Sequence, residues 1–66
     1  MVKVGQKVRF DPFFDIKAYG VADLREYVTG TVVFVHHKNL WFSVVYGDNR
    51  TSFKFDDIGE RVTIIG

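Results

Sequence analysis

The chain has 66 residues, enough for a single domain over 1–66, and a domain of that size buries only about 60% of the surface its unfolded chain exposes. It has no cysteine, which excludes disulfide staples and thiolate-held zinc, so stability must come from apolar packing by a composition that is 47% hydrophobic and 17% aromatic. Nine basic against eight acidic side chains leave a net charge of +1, too balanced for a dedicated duplex binder, whose affinity rests on phosphate contacts. No apolar run approaches the ~20 residues of a membrane span. The N-terminal "MVKVGQKVRF" lacks the apolar stretch of a signal peptide, so the expected location is the cytoplasm.

The first predicted strand is "KVRF", Lys7 to Phe10, with Val8 and Phe10 on one face. Asp11-Pro12 ends it, because proline cannot donate to a ladder. The stretch that follows is long for a hairpin loop. Within it, "VADLREY" has the spacing of a short helix, with Val21, Leu24 and Tyr27 on one side. Such a helix is too short to be stable without packing. Further strands are predicted at "TGTVVFV", Thr29 to Val35, and at "WFSVVY", Trp41 to Tyr46. "GDNR", Gly47 to Arg50, reads as a tight turn into "TSFKF", Thr51 to Phe55. Asp56 to Gly59 reads as one helical turn closed by glycine, and "RVTII", Arg61 to Ile65, as the last strand.

Register follows from period-two patterning. With Asp48-Asn49 as the hairpin loop, Tyr46 faces Thr51, Val44 faces Phe53 and Phe42 faces Phe55 on an apolar inner face. Pairing Phe34 with Phe42 and Val32 with Val44 extends that face. Val35 then lies opposite Trp41 on the outer face, with Val33 and Val45. A one-residue slip would put Phe34 opposite Ser43 and break the pattern. The outer group is either covered by Phe13, Phe14, Ile16 and Tyr19 of the long first loop, or left as a patch of the kind that binds partners.

Five short strands, a long first loop, a tight distal hairpin and a helical turn before the last strand resemble an SH3-like small barrel. The fold expectation is therefore an all-β, five-stranded SH3-like barrel whose long first loop has room for a short helix. "VGQKVRF" followed by "GTVVFV" resembles the opening of KOW-type and Tudor-type barrels, although the KOW pattern has a short loop between these strands. The stretches "KVRFDPF", "YGVADLREYVTGTVV", "WFSVVYGD" and "RTSFKFDDIG" together resemble small uncharacterised phage and prophage proteins of Firmicutes. That likeness implies fold and origin and carries no activity.

Chemistry is sparse. His36-His37 lies next to a strand end, where neighbouring side chains point to opposite sides, so the pair reads as solvated loop histidines. Asp56-Asp57 reads as caps of a helical turn. No hydroxyl has a base at nucleophile spacing, and neither Gly47 nor Gly59 belongs to a phosphate loop. No enzyme activity, metal or cofactor is expected. The expected function is a binding module that docks a protein partner through Trp41, Val45, Val33 and Val35, flanked by Phe13, Phe14 and Tyr19. A rival is single-stranded nucleic acid, with Trp41 and Tyr46 stacking bases and Lys54, Arg50 and Lys38 on the backbone. A third reading is self-association through the outer valines.

Overall fold

A computed structural model describes residues 2–12 and 27–66. It contains five strands: β1 (Lys7–Phe10), β2 (Val28–His36), β3 (Trp41–Tyr46), β4 (Asn49–Lys54) and β5 (Val62–Ile64). A 3-10 turn, Phe55–Asp57, precedes β5. The strands form one antiparallel sheet in the order β4-β3-β2-β1-β5. Among the described residues the sheet is not closed: β4 and β5 are its two edges, and an isolated parallel bridge joins Ile58 to Val62, the first residue of β5. All five predicted strands are present, β1 and β3 with the expected bounds and the other three with ends moved by one or two residues. The predicted helix over 21–27 and the loop residues Phe13, Phe14, Ile16 and Tyr19 lie outside the described residues, Tyr27 excepted.

One face of the sheet is the core. Val8 and Phe10 of β1, Val32 of β2, Phe42 and Val44 of β3, Phe53 of β4 and Val62 of β5 are buried, as is Val2 ahead of β1. Val28, Val35, Tyr46, Phe55, Ile58 and Ile64 pack around them. Phe10 is the hub of the rings, edge-on to Tyr46 at 5.0 Å and to Phe53 at 5.1 Å. Alternation decides this sorting: in β1 the pattern runs exposed, buried, exposed, buried.

Two pairings differ from the sequence expectation. The β3–β4 turn is Gly47-Asp48, so Phe42 pairs with Phe53 and Val44 with Thr51. Gly47 has φ of +57°, the conformation that the first central residue of a type II′ turn needs. The offset from the expected register is two residues, which leaves every side chain on its expected face.

The second difference does change faces. Val32 pairs with Val44 as expected, but β2 then bulges, so that Phe34 lies opposite Ser43, Val35 opposite Phe42 and His36 opposite Trp41. One extra residue on one strand reverses inside and outside beyond it. The inner layer already holds Phe10, Phe42 and Phe53. Tyr46 and Phe55 pack against it too, and past the bulge it is Val35 that sits beside Phe42 on this side.

The β2–β3 loop ends on Leu40, the single non-glycine residue with positive φ (59°) among those described. Its amide donates to the His36 carbonyl at 2.9 Å and its own carbonyl accepts from Phe55 N–H at 2.9 Å. The side chain is 55% exposed, so little apolar burial offsets the left-handed backbone, which costs a side-chain-bearing residue roughly 1–2 kcal/mol. Leu40→Asn is expected to raise stability by about 0.5 kcal/mol, because asparagine tolerates this conformation. That is a rise of roughly 2–4 °C in a melting curve; an unchanged or lowered midpoint would mean that the leucine side chain holds the loop in place.

Candidate functional site

The candidate site spans three cross-strand rows of the outer face. The first runs Lys7, Thr31, Val45, Arg50. The second runs Phe34, Ser43, Ser52 and the third His36, Trp41, Lys54. Side chains two apart on a strand share a face, so the rows stand about 6.8 Å apart along it. Lys7 Nζ donates to Thr31 Oγ1 at 2.7 Å, which ties the first row together. Ser43 and Ser52 hydroxyls meet at 3.3 Å, and Ser43 is buried beneath its neighbours.

Three rings converge on this face. His36 stacks on Trp41 with centroids 5.4 Å apart and planes 13° apart. Phe34 tilts against Trp41 at 5.5 Å and stands edge-on to His36 at 6.2 Å. His36 Nδ1 accepts the Asn39 N–H at 3.1 Å, leaving Nε2 to carry the ring proton of the neutral imidazole. Trp41 is half-buried in this group, whereas Phe34 is 43% exposed.

Charge on the strands has one sign. Lys7, Arg9, Arg50 and Lys54 are the charged side chains on the five strands, and all four are exposed. The described carboxylates, Asp11, Asp48, Asp56, Asp57 and Glu60, all lie in turns and connections. Arg9 lays its guanidinium over the Tyr27 ring, 5.5 Å from the centroid. Asp57 Oδ2 accepts the Lys54 N–H at 2.9 Å, reaching back from the third residue of the 3-10 turn to the residue that precedes it, whereas the sequence expectation has the aspartates capping the turn's own N–H groups.

A groove of about 590 Å³ runs beside the patch, lined among others by Leu40, Trp41, Phe53, Lys54, Phe55 and Arg61. Arg61 reaches over the Phe53 ring, 6.0 Å from its centroid.

The expected site is thus assembled in part. Trp41, Val45 and Val33 stand on the outer side, Val33 at the bulge and 39% exposed. Val35 does not join them: past the bulge it pairs with Phe42 and packs on the core. Tyr46 is likewise turned to the core, against Phe10, and is separated from Trp41 by the sheet. Lys54 and Arg50 stand on the outer face, and Lys38 is exposed in the β2–β3 loop. Phe13, Phe14 and Tyr19 lie outside the described residues. Phe34 and His36 take Val35's place. His36 is no loop residue but the end of β2.

Among the described residues, no three His, Asp or Glu side chains form a group able to hold a metal, and no helix is long and apolar enough to cross a membrane. No protein-family profile matches the chain, and no curated protein or solved structure is significantly similar to it.

Proposed function

We propose that this chain is a non-enzymatic, SH3-like binding module of phage or prophage origin that docks a protein partner through the outer face centred on Trp41. The barrel reading is supported by the strand order, the tight β3–β4 hairpin and the 3-10 turn ahead of β5. The origin is supported by the sequence resemblance alone. The observation that carries the docking face is the convergence of Phe34, His36 and Trp41 within 6.2 Å of one another on the solvent side of the sheet. Half-buried indoles ringed by polar groups supply a large share of binding energy when a partner completes their burial. Here Lys54, opposite Trp41 and exposed, stands at that rim.

The uniformly basic charge of the strands favours a second reading, single-stranded nucleic acid stacked on these rings. The two differ in salt dependence. Phosphate contacts release counterions, so nucleic-acid affinity falls steeply with salt, whereas burial of rings changes little.

The test is Trp41→Ala. Trp41 is outside the core, so the variant is expected to stay folded and lose only roughly 1–2 kcal/mol of stability. Used as bait beside the wild type at low and high salt, it is expected to lose its partner at both. Unfolding of the variant would instead make Trp41 a core residue. Partner loss with salt alone would favour nucleic acid, and a mass that rises with concentration would favour self-association.

A further inference from the structure

We infer that the outer edge of β4, which no strand among the described residues pairs, takes an extended peptide as an added strand, one with a carboxylate opposite Arg50 and apolar side chains alternating with it. The inference rests on the protein-partner reading above and names the partner's chemistry. It begins with the backbone. In a two-residue hairpin the pair flanking the turn is hydrogen-bonded, here Tyr46 with Asn49. Alternation then turns the peptide groups of Asn49, Thr51 and Phe53 toward β3, and those of Arg50, Ser52 and Lys54 outward. The Lys54 N–H agrees, since it leaves the sheet to reach Asp57. Among the described residues, nothing bonds to the outward N–H and C=O groups of Arg50 and Ser52.

The groove agrees as well. Ser52, Phe53 and Lys54 all line it. Consecutive strand residues point to opposite faces, so a groove that meets all three wraps round the edge of the strand near its end, where Leu40 and Trp41 also line it. A peptide laid there meets Ser52 through its main chain and, continued along β4 beyond the groove, Arg50, as in other strand-addition complexes. Side chains on its inner face meet Phe53 and Phe55. Those on its outer face extend the rows that end on Arg50, Ser52 and Lys54.

Charge selects among occupants. Arg50 ends a row that also carries Lys7, with no carboxylate in it, so a carboxylate is the complementary neighbour. Lys54 has Asp57 beside it, so the demand is weaker there. In a second copy, antiparallel β4–β4 pairing centred on Ser52 sets Arg50 against Lys54, two like charges directly opposite, so that register is disfavoured.

The experiment titrates the Trp41 emission of the full chain with a capped peptide of alternating Val and Glu. Two controls carry N-methyl groups on alternate amides, one set on each edge of the peptide. A third replaces Glu with Lys. The expected result is saturable binding by the parent and by one N-methyl control. The other control and the Lys peptide bind at least about tenfold more weakly.

Ser52→Pro removes an outward N–H that the ladder does not use, so the protein keeps its strands and loses the peptide. Arg50→Glu, an exposed change, provides the same loss should the proline distort β4. Equal binding of both N-methyl controls overturns the inference, as does no binding below about 1 mM.

The readings separate in the variants, with binding followed there by polarisation of a labelled peptide. Loss in Trp41→Ala without loss in Ser52→Pro and Arg50→Glu keeps the outer face and discards the edge. The reverse keeps the edge and discards the ring face. Binding of an oligothymidylate but of no peptide overturns both.

Discussion

Replacing Gly30 by alanine is expected to remove about 3 kcal/mol of stability, an effect large enough to unfold much of the population of so small a domain. Gly30 lies in β2 between Val8 of β1 and the β3 strand, and it is buried. A Cβ there would stand 2.4 Å from Val44 Cγ1, 3.0 Å from the Val45 carbonyl oxygen and 3.2 Å from Phe10 Cε1. The valine side chain is itself fully buried, and the carbonyl is held by the sheet, so neither can give way freely. The cost is therefore steric. Its φ is not in the left-handed region, so backbone freedom is not what selects glycine here. Thermal unfolding followed by far-UV circular dichroism should show a midpoint lower by on the order of 10–20 °C. A variant as stable as the wild type would mean that β2 and β3 do not approach this closely.

Phe10→Ala is expected to be at least as damaging, by about 3–5 kcal/mol. The mechanism is the opposite one, since it leaves a void instead of a clash. Phe10 is 1% exposed and touches both Tyr46 and Phe53 edge-on, so its loss removes two ring contacts besides the apolar burial. A 66-residue domain has roughly 3–10 kcal/mol in total, so this variant should be largely unfolded in water. Dispersed amide signals in a proton NMR spectrum of the variant would contradict the central place given to this ring. Phe34→Ala is the internal comparison. That ring is exposed on the outer face, and its removal should leave the fold in place.

Why some of this was legible and some was not comes down to periodicity. Val8, Phe10, Phe42, Val44 and Phe53 declare themselves because strands alternate, and alternation survives an error of two residues in the hairpin. A bulge is invisible to the same argument. After Thr31, "VVFV" has no polar residue to mark which face each position takes, so the inserted residue at Val33 left no signal in the pattern. Val35 and Phe34 exchanged faces as a result, and the valine patch read from sequence became a group of rings. His36 was hidden by its neighbour: a histidine pair next to a turn reads as loop, although the first of the two closes β2 against Trp41. Val2 is buried ahead of the first strand, where two residues offer no period to read. The edge of β4 was equally out of reach, because strand order is a property of the assembled sheet.

That strand order also sets the pace of folding. The β2–β3 and β3–β4 pairings close short loops, and such hairpins form within about 1–10 μs. The β1–β5 pairing joins residues 8 and 64, at opposite ends of the chain. Its loop-closure entropy has to be met before most of its contacts form, which places the chain among slow, millisecond-to-second folders of its size. A transition state that holds the β2–β3–β4 meander and lacks β5 would make changes at Val62 speed unfolding while leaving the folding rate nearly untouched.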